Sequence, residues 1–276
     1  AERLNLTRSA ISKAIARLEA RLETRLFHRT TRTLSLTEAG VRFYRTCTNV
    51  LGELEEAELS LHAHSTEPVG QVRIDLPAAY GRLHALGAIL ACAREHGLLQ
   101  PHISFSDRYV DPVEEDIDIV VRIGGPDLLS QALGRRYLGA ERLVFCASPD
   151  YLHRHGVPRT EQDLEHHHCV MYGRADGSVN PWWFAGPHGG RERRLLPAHI
   201  AIGDGEGQAA AVLAGHGIAQ LPTWLVQASL DQGKLVQVLA HLATDGSPIH
   251  LLWLKRRQSQ ARVSVVLEAL GAALTA

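Results

Sequence analysis

The sequence predicts an α/β protein in three parts: a mainly helical basic module, a long linker helix, and a body of alternating strands and helices. Three observations lead there. Residues 1–37 hold an amphipathic helix followed by a hairpin pattern, and their cations are not matched by acids. Residues 38–64 carry apolar side chains at helical spacing. From Gln71 onward short apolar strands alternate with helical stretches, the pattern of βαβ units on a parallel sheet.

Composition bounds the reading. At 276 residues the chain has room for two or three domains, and 45% hydrophobic with 21% charged residues is an ordinary globular balance. No apolar run approaches a membrane span and the start shows no signal-peptide pattern, so a cytoplasmic protein without a membrane partner is expected. Cys47, Cys92, Cys146 and Cys169 lie far apart with no CxxC pair, which argues against a disulfide framework and a structural zinc site. The net charge of −1 conceals a division: residues 1–45 contain ten Arg or Lys and four Glu, a surplus of +6 that leaves −7 for the rest. A basic module of this kind meets a polyanion, or else it is a helix whose outer face is simply solvated.

In the first part Thr7 is the natural N-cap of a helix whose apolar residues Ile11, Ile15, Leu18 and Leu22 share one face. The opposite flank holds Arg8, Ser9, Ser12, Lys13 and Arg17. A recognition helix needs this arrangement, because its N-terminal residues enter the major groove while later cations meet phosphates. Two apolar segments, Leu26–Phe27 and Leu34–Leu36, then flank a polar turn and read as a β-hairpin bearing Arg29, Thr31 and Arg32.

The linker stretch opens at Thr37-Glu38-Ala39-Gly40 and places Cys47, Val50, Leu54, Ala57 and Leu61 on a narrow seam flanked by Glu53, Glu55, Glu56 and Glu58. About 27 helical residues would span roughly 40 Å. The seam serves either contact with a second copy or packing on its own domain. Residues 65–70, Ser-Thr-Glu-Pro-Val-Gly, break the helix and form a hinge.

In the body, strands are expected at 72–76, 102–105 and 117–123, with an apolar helix over 81–96. A second set follows: strands at 142–147, near 181–184 and at 199–202, helices at 149–154 and 205–213, then a strand at 249–254 and a last helix at 261–274.

The segment "AERLNLTRSAISKAIARLEARLETRLFHRTTRTLSLTEAG" resembles the winged helix-turn-helix of the LysR-type transcriptional regulators. Linked motifs in order carry the likeness: A-E-R-L, S-x-x-S-[KR]-x-I-x-x-L-E, L-F-x-R and L-T-x-A-G around the helix and wing. "SDRYVD", "IDIVVRIG", "FCASPDYL", "PWWF" and "AGHGIAQLP" resemble the effector domain of the same family. The resemblance implies two doubly wound α/β subdomains like those of periplasmic solute-binding proteins. It divides the chain into a DNA-binding domain at 1–37, a linker and dimerisation helix with hinge at 38–66, and an effector domain at 67–276. Within the last, 67–142 and 249–276 would form one subdomain and 143–248 the other, joined by two extended crossovers that act as the hinge. Two departures are notable. Arg8 stands where the family usually has glutamine, which favours a guanine contact, and Ser9 where it often has proline. Ala1 falls inside the expected first helix, so the resemblance implies a helix preceding it.

Ligands of open α/β sheets sit beyond the carboxyl ends of strands, at helix N-termini. Pro77, Ala78, Ala79 and Tyr80 follow the first strand, Arg122, Ile123 and Gly124 end another, and Gly203 and Asp204 precede a helix. In the family these regions line the cleft that receives a small-molecule effector, commonly a carboxylate. The resemblance adds Ser106 and Gln220, and Cys146 lies near the expected cleft. Relatives often offer Ser or Thr where this chain has Pro77–Tyr80, which leaves room for an aromatic or apolar effector. Asp204 is either an N-cap or a ligand contact. Arg122 either meets the ligand or pairs with Asp107 or Asp118. Cys146 is either a small core residue or a redox-sensing thiol.

Other patterns carry less. In Glu165-His166-His167-His168-Cys169 consecutive side chains diverge, so a turn of solvated imidazoles is preferred over a metal site. No P-loop, GxGxxG, GxSxG or HExxH pattern occurs. The expected function is a non-enzymatic regulator needing no cofactor, with double-stranded DNA, a small-molecule effector and further copies of itself (dimer or tetramer) as partners, and RNA polymerase as a further candidate. A solute-binding protein or an enzyme on the same α/β body is the alternative.

Overall fold

The computed structural model describes residues 7–29, 34–44, 46–47, 50–51, 54, 67–125, 130–185 and 190–275. The chain forms two compact units, Ala1–Ser65 and Thr66–Ala276.

The first unit opens with α1, Arg8–Leu22. Thr7 caps it by accepting the Ala10 amide at 3.2 Å, and a left-handed Glu23 ends it. The Glu19 carboxylate accepts the Leu26 and Phe27 amides at 2.8 and 3.1 Å, so the helix itself holds the start of the wing. The wing is the antiparallel pair β1, Phe27–Arg29, and β2, Leu34–Leu36, with Phe27 opposite Leu36. Thr37 then caps the linker helix, its hydroxyl accepting the Gly40 amide at 2.9 Å and donating to Arg25 O at 2.7 Å. A Cβ at Gly40 would stand 2.0 Å from Leu26 O, so only glycine lets the linker helix pass this close to the wing. The described linker residues 38–44, 46, 47, 50, 51 and 54 are helical. Val50, Leu51 and Leu54 are each more than half exposed, while Ala57 and Leu61 of the seam lie outside the described residues.

The second unit is built on β3, Gly70–Leu76, which pairs in parallel with β4, Leu99–Phe105, and β5, Ile119–Ile123. The helix expected over 81–96 is a composite: α2, Ala78–Tyr80, a π turn at Gly81–Ala85, and α3, Leu86–Glu95. Next come β6, Leu133–Ala147, α4, Pro149–His155, β7, Cys169–Tyr172, the hairpin of β8, Trp182–Ala185, and β9, Arg191–Arg194, and β10, Ala198–Ile202. The chain closes with α5, Gly205–Leu213, β11, Ala219–Pro222, α6, Thr223–Asp231, β12, Val236–Val238, β13, Thr244–Leu254, and α7, Ala261–Leu274.

The main sheet runs β11-β6-β13-β5-β3-β4, with β12 also on β6. It is mixed rather than parallel, because the two crossovers are themselves strands: β6 and β13 pair antiparallel from Leu133–Leu254 to Leu143–Thr244. The two crossovers, expected to be extended, are extended and pair with each other as a two-stranded ladder, irregular between Asp245 and Pro248 and between Ile249 and His250. Half of β6 escaped the apolar-run reading because Arg135, Arg136 and Tyr137 are exposed, a charged edge where only β13 covers it.

One core packs α3 and α7 against β3, β5 and β13 through Ile74, Ile89, Val121, Leu251, Val266 and Leu270. Two others lie around β6, β7 and α5, through Phe145, Tyr151 and Phe184, and through Val144, Cys146 and Val212. A buried ion pair, Arg257 Nη1 to Asp118 Oδ1 at 2.6 Å, ties the last segment to the first core, and Asp118 Oδ2 accepts the Arg73 amide at 2.7 Å.

Candidate functional site

Two places concentrate polar chemistry, one in each unit. On α1 the residues Thr7, Ser9, Ser12, Lys13 and Arg17 are exposed, while Ile11, Ile15 and Leu18 are partly covered. The first turn holds no acid, so the positive end of the helix dipole and its free amides are uncompensated. Thr31 and Arg32, and the side chains of Arg8 and Arg29, lie outside the described residues.

The second unit contains a cavity of about 470 Å³ between its two halves. On one side it is lined by Pro77, Ala79 and Tyr80 after β3, by Ser106–Val110 after β4, and by Arg122, Ile123 and Gly125 at the end of β5. The other side presents Tyr172, Arg174, Asn180–Trp183, Arg193, Gln208 and Gln220–Pro222, with Trp224 and Leu225 on α6. Glu141 and Leu143 of β6 and Ser247 of β13 form the floor.

The cavity brings together seven of the residues singled out from sequence: Pro77, Ala79, Tyr80, Ser106, Arg122, Ile123 and Gln220. Five do not line it. Ala78 gives its amide to Asp107 Oδ1 at 2.9 Å. Gly124 supplies the carbonyl that Arg122 Nε donates to at 2.8 Å, and its neighbour Gly125, at φ +99°, is the one that faces the cavity beneath the guanidinium. Gly203 precedes the cap, and Asp204 is that cap: its carboxylate accepts the Gly207 amide at 2.8 Å. Cys146 is a correction. It is fully buried beside Val144 and Val212, with its thiol pushed up to about 12 by burial, so it is a core residue unsuited to thiolate chemistry. Strand alternation explains it: Glu141 and Leu143 share the cavity side of β6, and Cys146 falls on the other.

Of the two acids offered as alternative partners of Arg122, Asp118 is paired with another arginine. Asp118 is taken by Arg257, whereas the Arg122 guanidinium lies 5.1 Å from the Tyr109 ring centre. Asp107 instead bridges the cavity, accepting from Tyr172 OH at 3.5 Å. Burial, with Asp107 and Asp204 adding their field, pushes that hydroxyl up to about 12. Arg108 is bound in a two-pronged pair to Glu115, and Asp75, raised mainly by burial, accepts from Ser104 Oγ. A second link joins the halves where Arg82 of the π turn pairs with Glu206 in the first turn of α5.

Sequence reasoning missed the aromatic character of the cavity. Trp182, Trp183 and Trp224, three of four tryptophans, line it with Tyr80, Tyr109 and Tyr172, half of the tyrosines. The signal lay in "PWWF", read only as a family block.

The histidine run is half solvated: Glu165 and His166 are exposed, and His167 and His168 are partly covered. Tyr151, fully buried, accepts the His168 amide at 2.9 Å and bonds His167 Nδ1 at 3.0 Å, while His168 stacks on His199 at 3.9 Å. Among the described residues no group of three or more His, Cys, Asp or Glu is arranged to hold a metal, and no helix is long and apolar enough to cross a membrane.

Comparison with known proteins accords with this geometry. Residues 1–41 match the bacterial regulatory helix-turn-helix of the lysR family, and residues 65–275 the LysR substrate binding domain. The transcriptional regulator CrgA of Neisseria meningitidis is 32% identical over 277 residues, 98% of this chain and 89% of that protein. An uncharacterised HTH-type transcriptional regulator of Haemophilus influenzae is 30% identical over 264 residues, 96% of this chain and 90% of its own length. The structure of CrgA from N. meningitidis matches with a TM-score of 0.67 at 29% identity, covering 100% of this chain and 92% of that one. The full-length virulence activator AphB of Vibrio cholerae, at 23% identity and a TM-score of 0.67 over 98% of this chain and 91% of that one, shares the fold. With a lysR-family helix-turn-helix followed by a LysR substrate binding domain over nearly its whole length, the chain belongs to the LysR family of transcriptional regulators.

Proposed function

We propose that this regulator binds promoter DNA as a homo-oligomer in the cytoplasm, and that a small molecule in the cavity sets its activity by shifting the balance between two arrangements of the oligomer. The domain division at 1–37, 38–66 and 67–276 assigns those tasks. The observation that carries the reading is the acid-free, cation-bearing exposed flank of α1 in a chain that also encloses an aromatic-lined cavity. Arg8 and Ser12 face bases, while Thr7, Ser9, Lys13, Arg17 and the wing residues Arg29, Thr31 and Arg32 serve the phosphates. Regulation at a promoter ends on RNA polymerase, the further partner. Among the twelve residues assigned to the effector, the seven at the cavity wall make contact, and Arg122 is the cation for an acidic group.

The test is binding of the full protein to a duplex selected from random sequence, followed over salt concentration. Arg17→Ala should weaken all sequences alike and flatten the salt slope by about one unit. Arg8→Ala should cost about 1–3 kcal/mol at the selected site and relax its preference. An unchanged preference in Arg8→Ala removes the recognition role of α1.

A further inference from the structure

Glu141 lies at the cavity floor with an unusual set of neighbours. It is partly buried at the irregular point of the β6–β13 ladder, where Oε2 accepts the Ser247 amide at 3.2 Å. Burial raises its carboxyl, opposed by that amide and by the Trp224 indole, with no arginine, lysine or histidine among the opposing influences. Asp75 and Asp107 are the other acids among the lining residues. Asp107 holds a backbone amide and a tyrosine hydroxyl, and Asp75 holds Ser104.

Two electron-rich rings stand beside Glu141. Tyr80, 7% exposed, meets Trp224 edge-on with ring centres 5.2 Å apart, and its hydroxyl is raised mainly by burial, with the field of Glu141 adding to it. The cavity arginines Arg122 and Arg193 lie over the Tyr109 and Trp183 rings, and neither acts on Glu141. A carboxylate that no described arginine, lysine or histidine pairs with, beside two aromatic side chains in a partly dehydrated site, matches one ligand chemistry. A protonated amine restores the carboxylate's charge by ion pairing and is attracted by the ring quadrupoles.

We infer that the Glu141–Tyr80–Trp224 corner of the cavity receives the protonated amine of an organic effector. This rests on the cavity being the effector site, and it names the effector's chemistry: a primary or secondary amine on a carbon frame that fits an aromatic wall.

Matched probes test it. Benzylamine, 2-phenylethylamine and 3-phenylpropylamine are titrated into the full protein by calorimetry beside phenylacetate, 3-phenylpropionate and 4-phenylbutyrate, with cavity tryptophan fluorescence as a second readout. At least one amine should bind saturably, and Glu141→Gln should weaken it about tenfold or more while leaving the acids unchanged or tighter. Glu141→Gln should melt no lower than the parent, because it removes a buried charge, and so reports on recognition rather than folding. Acids binding while every amine fails, an amine indifferent to Glu141→Gln, or no binding by any probe would each overturn the inference. DNA binding measured on the same preparations decides the regulator reading separately.

Discussion

Gln220 holds Trp183 by its backbone: the Trp183 amide donates to Gln220 Oε1 at 2.8 Å, and Gln220 Nε2 donates to Trp183 O at 2.6 Å. The side chain thereby acts as one residue of a strand and fixes the β8–β9 hairpin to β11 over the cavity. On its other side the hairpin is tied to β13, where Arg191 donates to Asp245 O at 2.7 Å and Gly246 O at 2.6 Å. Arg193 lies 4.1 Å from the centre of the Trp183 ring.

Gln220→Leu removes both bonds and strands two main-chain groups, a loss of about 1–3 kcal/mol. Faster hydrogen exchange should be confined to residues 182–194. Exchange rates equal to the parent's would show that the hairpin is held by other contacts.

Arg257→Ala should cost about 3–5 kcal/mol, because Asp118 would remain buried without its cation. In urea unfolding, the double substitution Arg257→Met with Asp118→Leu should recover much of that loss, since no uncompensated charge remains. A double variant no better than the single one would place the effect in packing instead.

Acid should weaken the second unit through its histidines. Burial holds His167 and His168 below the usual imidazole range, with His155 lowering both further and His199 lowering His168. The unfolded chain protonates them near pH 6.5, while the folded chain takes up those protons only at lower pH. Their contribution is therefore full above that pH and lost as pH falls toward the lowered folded values. Melting temperatures between pH 7.5 and 5.5 should fall less steeply in His168→Asn than in the parent. Tyr151→Phe, which leaves the His168 amide without its acceptor, should be destabilised by about 1–3 kcal/mol at both pH values.

The exposed seam predicts association. Leu54, 57% exposed within the chain, gains burial only against another surface. Leu54→Asp with Leu61→Asp should shift sedimentation toward a monomer, since two carboxylates would enter an apolar contact. A monomer already in the parent protein would remove the linker from that role.

Arg122→Ala should abolish the response to an acidic effector while leaving basal DNA affinity near the parent value, since Arg122 belongs to the second unit and α1 to the first. DNA affinity lost with the response would point to misfolding of the ladder in which Arg122 sits opposite His250.

What the sequence determined by itself is the set of features governed by local chemistry. Thr7 caps the helix it was expected to cap, and Asp204 takes the cap that was one of its two readings, because an N-cap needs only a side-chain oxygen and an amide three residues on. The ranges of α5 and α7 were legible because helical spacing and termini are written in neighbouring residues. Tertiary structure decided the rest. Which face of β6 meets the cavity depends on pairing register, so Glu141 was overlooked while Cys146, on the opposite face, was offered in its place. Asp118 found Arg257, 139 residues away, rather than the nearby Arg122, because β13 pairs with β5 and delivers the following turn to Asp118, where Leu254 donates its amide to Asp118 O at 3.1 Å. Tyr80, singled out from the sequence, and Trp224, which was not, become one wall only where two distant segments close on each other, and no local pattern in the sequence records that distance.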